Sequence, residues 1–386
     1  MFAIPLSTAL ASLFSGLLII FWLLHRDFKN QLNFLRGNPI VIAFLFYILL
    51  HTLGILWTED INWGLHTLKK TWKFALMPLV MIYSLKEEFY KYLFAFIAGI
   101  LISVIVNYGI WFNIIEPFTE SVKHISHPAA FMSHITFSPL LSFAVLFVGL
   151  MLVFKNNSKF TKLGGLLLLI IMFHNSLITG GRTGQIMLVF VMGILIYSIF
   201  HKSFYKLFFL IFIAMPILFT GLYISNNIFS DRVDLAIEQY RDFQINEQRK
   251  TSVGERLTYA QSGVDIFMEN PIFGVGTGDL RSAIRNNFTS RNLDMPVPDN
   301  PHNMYTQLFG QFGSLGMLWL VFTSVLQVRF AYRESDRLKR MIGLSIPILF
   351  GIANLGETYF SIHATSIFFA VMCGITYSKK YLYASS

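Results

Sequence analysis

Apolar residues in this chain fall in long uninterrupted blocks, with the polar residues gathered between them. Blocks near 2–24, 39–57, 72–84, 89–112, 135–154, 163–180, 185–200, 204–224, 313–332, 341–355 and 359–378 approach the ~20 apolar residues that cross a bilayer as a helix. The pattern predicts an all-α polytopic membrane protein with about eleven or twelve transmembrane helices. The first block starts at the initiator Met with no basic region before it and no small-residue cleavage site ahead of Arg26, so it is expected to be a retained helix.

One long stretch breaks the pattern. Residues 225–312 hold 11 of the 21 acidic and 8 of the 30 basic residues. The chain therefore divides into transmembrane helices over 1–224, a helical loop region over 225–312 and further transmembrane helices over 313–386. Within the loop, Val233, Ile237 and Tyr240 recur at helical spacing, as do Leu257, Ala260, Val264, Phe267 and Met268. Two amphipathic helices are expected, the second opening with a capping box at Ser252–Glu255 and stopping at Asn270-Pro271. A third helix is expected over Asp279–Phe288, followed by an irregular strap over 289–301, where three prolines fall.

Composition agrees: 54% of residues are hydrophobic, 13% are charged and the mean hydropathy is +0.57. The net charge of +9 does not point to nucleic acid, because Lys and Arg sit mostly in short loops after alternate apolar blocks. By the positive-inside rule those loops are cytoplasmic, which places 58–71, 113–134, 181–184, 225–312 and 356–358 on the outer face. The single cysteine, Cys373, excludes an intrachain disulfide and a thiolate metal cluster.

The candidate chemistry lies in the outer loops. Asn300 as N-cap and Pro301 as first helical residue predict a helix start with His302 in its first turn. The amide groups there disfavour added positive charge, which places His302 like a general base; the other reading is a polar residue marking where a helix leaves the lipid. Arg256, in the first turn of its helix, opposes the helix dipole and suggests a shared anion. Arg281 and Arg285 are expected on one helix face. Arg182 falls in a tight turn, Gly180-Gly-Arg-Thr-Gly-Gln185, at the membrane boundary, either for a partner or snorkelling to the interface.

Lys69, Lys70 and Lys73 run against the positive-inside trend and are either a site for an anionic headgroup or simply tolerated loop charges. Gly274-Val-Gly-Thr-Gly278 follows a helix rather than a strand, so it is a turn and not a dinucleotide loop. His124, His127 and His134 lack accompanying Asp, Glu or Cys and read as loop histidines rather than metal ligands. With no Asp-x-Asp motif in any outer loop, metal-assisted sugar transfer is not supported and no cofactor is expected.

Taken together, Gly-Gly-Arg182-Thr-Gly, Glu255-Arg256-Leu, Asn270-Pro-Ile-Phe-Gly-Val-Gly276, Pro301-His302-Asn303-Met-Tyr305 and Gly313-Ser-Leu-Gly316 resemble the bacterial O-antigen ligase and O-antigen polymerase superfamily. The resemblance is specific over about 165–320 and extends to the layout, a large periplasmic loop between late spans. It implies a fold related to the GT-C glycosyltransferases in the bacterial inner membrane. It also implies metal-independent, inverting transfer of a glycan from undecaprenyl diphosphate to a hydroxyl on the periplasmic side.

Carried over by motif, Arg182 and Arg256 would hold the diphosphate and His302 would activate the acceptor hydroxyl. Asn303, Tyr305, Arg281, Arg285 and Lys70 would contact substrate. As a ligase, the chain would use lipid A-core as acceptor, among membrane lipids; as a polymerase it would join repeat units. An ion-coupled transporter is a remoter reading, since the spans lack central acidic residues, Glu357 lying at an edge, and no two halves repeat.

Overall fold

The computed structural model describes residues 1–24, 28–117, 128–200, 203, 205, 213, 215–225 and 227–378. In chain order its helices are α1 (Thr8–Leu24), α2 (Phe28–Arg36), α3 (Pro39–Leu53), α4 (Ile61–Lys69), α5 (Leu76–Tyr83), α6 (Phe89–Trp111), α7 (His134–Phe154), α8 (Lys159–Thr179) and α9 (Arg182–Phe200). They continue as α10 (Met215–Ser225), α11 (Asn227–Ile245), α12 (Ser252–Glu269), α13 (Leu280–Ser290), α14 (Met304–Tyr332), α15 (Arg337–Gly356) and α16 (His363–Thr376). Among the described residues there are no strands, and the chain is an all-α polytopic membrane protein.

Six of these helices, α6, α7, α8, α9, α14 and α15, are long and apolar enough to cross a membrane, and each falls on an expected block. Other blocks form shorter helices: α3, α16, and at 72–84 a 3-10 turn, Lys70–Ala75, that leads into the eight residues of α5. The block at 204–224 lies largely outside the described residues, as do His124 and His127; His134 opens α7.

Packing divides the chain into two compact units, each drawn from segments far apart in sequence. The first comprises Met1–Ser15, Leu85–Asp234 and Phe330–Ala353. Its centre is α7, whose Phe137, Leu140, Leu141, Ala144 and Phe147 are fully covered. Small residues bring its neighbours close: a Cβ on Gly184 would sit 2.4 Å from the Ser138 Cβ, and Ser142 Oγ donates to the Gly184 carbonyl at 3.0 Å. Some polar side chains buried in this apolar setting pair with one another, Asn107 donating to Asn175 and accepting from the Ala130 amide, while Asn175 Nδ2 and the Ser138 hydroxyl have no partner in the protein.

The second unit comprises Gly16–Ser84, Leu235–Arg329 and Asn354–Ser386. Its core is aromatic. Tyr47 lies 4.4 Å from Trp319, Phe44 stacks on Phe369 at 5.3 Å and Phe360 packs on Phe369 at 4.6 Å, joining α3, the second half of α14 and α16. The buried Trp319 indole satisfies its N–H on the Ala43 carbonyl at 2.7 Å. The loop region adds a small core of its own, in which Tyr259, Ile266, Leu280, Ile284 and Phe288 pack with Leu293, Met295 and Val297 of the strap.

The loop helices form where expected, but with different faces and caps. On α12 the buried side is Thr258, Tyr259, Ser262, Gly263 and Ile266, whereas Val264 and Met268 of the expected face are exposed. The reason is close backbone approach, since a Cβ on Gly263 would lie 2.3 Å from Thr306. On α11, Ile237 and Tyr240 are likewise exposed, while Phe243 is buried. The N-cap of α12 is Thr251, whose hydroxyl accepts from the Gly254 amide at 3.0 Å, so the Ser252–Glu255 capping box does not form. The end at Asn270 is as expected.

Candidate functional site

The helix that leads away from the site begins later than the sequence suggests. Both Asn300 and Asn303 are capping residues, and Asn303 wins: its Oδ1 accepts from the Tyr305 and Thr306 amides at 2.9 and 3.1 Å. Asn300 instead accepts from the His302 amide at 3.0 Å, closing a local turn. His302 is therefore not in a helical first turn but just ahead of the cap, in the left-handed region at φ 50°. The helix-dipole argument for its role does not hold, and a different partner replaces it.

That partner is Glu357, at the end of α15. Its Oε2 lies 2.7 Å from His302 Nδ1, and its Oε1 accepts from the Thr358 amide at 2.8 Å and the Thr358 hydroxyl at 3.2 Å. The carboxylate is 5% exposed and the imidazole 38%. Burial alone pushes the Glu357 carboxyl up, but the hydrogen bonds from His302 and Thr358, with the attraction of a charged imidazole, outweigh it and hold the group below the ordinary carboxylate range. An ionised carboxylate can only accept, so Nδ1 carries a proton, and in the neutral ring Nε2 then holds the lone pair. The pair thus offers a proton acceptor with fixed tautomer and orientation, and a carboxylate to stabilise the imidazolium that forms.

Three further contacts fix the ring. Asn303 Nδ2 donates to the Leu355 carbonyl at 3.1 Å, tying the His302 turn to the segment that carries Glu357. With its side-chain amide occupied at both ends, Asn303 holds His302 in place. Tyr259 of α12 stacks near the imidazole at 6.2 Å between centroids, and its hydroxyl donates to the Pro296 carbonyl at 3.2 Å. Burial, then the nearby Glu255 charge, pushes that phenol up to about 12, so it serves as a donor rather than a base.

Arg256, on the same helix, folds back to the α12 N-terminus, where its Nη1 donates to the Ser252 hydroxyl at 2.7 Å and carbonyl at 3.1 Å. Its Nε is buried without an acceptor in the protein. A cation with an unused donor beside a helix start is an anion-binding arrangement. Arg281 of α13 lies 3.4 Å from Asp299 and over the Trp63 ring at 5.0 Å, while Arg285, one turn on, is exposed. Tyr305 is half-buried in the first turn of α14.

Gly313 interrupts α14 at φ 56° and ψ −139°, separating the site-bearing turns from the apolar stretch that follows. There a Cβ would lie 2.7 Å from the Pro271 carbonyl, so only glycine fits. The Gly274–Gly278 segment is a packing turn, its Val275 and Gly276 amides bonding the Gly310 and Gln311 carbonyls. Lys70 follows the end of α4 and is exposed.

In the other unit, Arg182 is the first residue of α9 and half-buried, after a left-handed Gly180 that caps α8, so the tight turn forms as expected. A Cβ on Gly181 would fall 2.2 Å from the Ser138 hydroxyl, which explains the paired glycines.

Residues 166–321 match the family described as O-antigen ligase, a segment that contains Arg182, Arg256 and His302. The match supports membership of an O-antigen ligase-like family and, at that level, a membrane enzyme of the O-antigen ligase or polymerase type. No curated protein matches the chain.

Proposed function

Taking that family match as the premise, we propose that the chain is an O-antigen ligase, moving polysaccharide from undecaprenyl diphosphate to a sugar hydroxyl of lipid A-core at the periplasmic face of the inner membrane. The observation that carries the chemistry is the His302–Glu357 pair at 2.7 Å; with Nδ1 donating to the carboxylate, a neutral imidazole has Nε2 as its proton acceptor.

The acceptor hydroxyl gives its proton to His302 Nε2 as its oxygen bonds the anomeric carbon, and Glu357 stabilises the imidazolium. The bond from that carbon to the diphosphate breaks on the opposite side, so the anomeric centre is inverted. Negative charge grows on the leaving diphosphate. Arg256 is assigned to neutralise it through donors not used within the protein, and the family resemblance assigns Arg182 the same role. Because charge stabilisation is given to arginines, the reaction is assigned no divalent metal.

Expression in ligase-null and polymerase-null strains, with lipopolysaccharide ladders read on a gel, tests this reading. Restored capping of lipid A-core in the first strain alone is expected. Restored chain lengthening in the second strain alone would replace the ligase reading with the polymerase one.

A further inference from the structure

A pocket of ≈ 200 Å³ is lined by chain neighbours of His302 and Glu357, though by neither of the pair itself. One wall is Asn300 and Pro301, directly before His302, and another is Thr358, directly after Glu357. The remaining walls include α4, α13 and the first turns of α14, and α4 and α13 are held together because the Asp279 carboxylate accepts from the Glu59 and Asp60 amides at 2.7 and 2.9 Å. The pocket is therefore built from fixed elements adjoining the proton acceptor.

Its lining is unbalanced in charge. Lys70 and Arg281 face it against one carboxylate, Asp299, which is 69% exposed on its side chain. Among the described residues no carboxylate pairs with Lys70. Arg281 Nε is buried without an acceptor. Behind the wall a third cation, Lys73, is 2% exposed and donates to the carbonyl of Ser361, itself a lining residue, at 3.3 Å. Lys70 is exposed and Arg281 partly so, so this excess positive charge is open at the pocket and can be met there by an anion.

The other lining groups are neutral. Gln307 Nε2 donates to Gln311, Gln311 Nε2 to the Thr277 carbonyl and the Thr358 hydroxyl to Glu357, and the Trp63 ring carries the Arg281 guanidinium. The volume, below the roughly 300–1,000 Å³ of larger ligand sites, admits one sugar residue and not a polymer.

We propose that this pocket is the acceptor subsite and takes a single sugar ring carrying an anionic substituent, phosphate or carboxylate, with Lys70 and Arg281 on the anion. The proposal rests on the transferase reading above and adds the acceptor's chemical class. The glycosylated hydroxyl is then the one presented toward His302.

The test begins without donor. Purified protein in lipid nanodiscs is titrated with glucose 6-phosphate, glucose and inorganic phosphate by saturation-transfer NMR. The sugar phosphate is expected to bind at least about tenfold more tightly than either fragment, and Lys70→Ala or Arg281→Gln to weaken it roughly tenfold or more. Lys70 is exposed, so its truncation does not threaten folding. Equal binding of the three probes, or binding unchanged by Lys70→Ala, overturns the subsite even where His302→Ala abolishes transfer.

Conversely, failure of the wild-type protein to transfer glycan from the lipid-linked donor would sink the transferase reading without altering the probe titration. In the full reaction, loss at Lys70 should appear in the acceptor KM. A rise confined to the donor KM would assign the pocket to the lipid-linked donor and overturn the acceptor proposal.

Discussion

Replacing Glu357 with Gln changes one atom's chemistry and leaves the shape, so it isolates the carboxylate's part in proton transfer. The wild-type carboxylate accepts on both oxygens, from His302 Nδ1 at 2.7 Å and from the Thr358 amide at 2.8 Å. A glutamine cannot do both. With its NH2 toward His302, it donates to Nδ1 and forces the proton onto Nε2, the atom that must accept. With its carbonyl toward His302, the NH2 faces the Thr358 N–H, and a donor on a residue 1% exposed is left unpaired, at a cost of about 1–3 kcal/mol. The first arrangement avoids that cost and gives the wrong tautomer.

The expected result is a fall in kcat of about 10²–10⁴-fold, with the donor and acceptor KM values little changed. Purified variant and wild type, each with lipid-linked donor and acceptor, would be followed by product mass or gel shift. A variant with near-normal kcat and an intact fold would refute the assignment of Glu357 as the residue that positions the base. Stability gives a second readout. A carboxyl held lower in the folded than in the unfolded state contributes stability above its ordinary titration range and loses it as pH falls through the folded value. Glu357→Gln should therefore remove part of the acid-side loss of thermal stability.

Arg256→Lys should restore little of the transfer lost in Arg256→Ala, because an ammonium keeps the charge but cannot both reach Ser252 and present a planar fork to phosphate oxygens; donor titrations check this. Gly313→Ala should destabilise the protein by about 1–3 kcal/mol, since the new Cβ meets the Pro271 carbonyl and adopts a left-handed φ; thermal unfolding in detergent measures it. Transfer should persist in a chelator, and loss restored by magnesium or manganese would contradict the arginine-based account of the leaving group.

Of the eleven or twelve expected spans, the six helices long enough to cross a bilayer were legible because the bilayer imposes length and composition on each, and the turn at Gly180–Arg182 because paired glycines before a charge leave few alternatives. The motif singles out His302, but the helix-dipole reason for choosing it fails, because the residue lies ahead of the Asn303 cap. Asn300 and Asn303 both cap helices well, and only the folded chain decides that Asn303 does so. Glu357 lies 55 residues beyond His302 in sequence. As a lone carboxylate at a span's edge it looked like a boundary charge; its isolation between late apolar blocks was the available signal. The face of α12 was misjudged because periodicity finds apolar residues, whereas Thr258, Ser262 and Gly263 are buried for their small size against α14.

The central claim is that His302 takes the acceptor proton, and single-turnover transfer by His302→Ala tests it most directly, with donor binding measured on the same preparation. Donor affinity within a fewfold of wild type and a chemical step slower by roughly 10²–10⁴-fold are expected. Near-normal single-turnover rates would contradict the claim and leave His302 as a residue that marks the edge of the membrane.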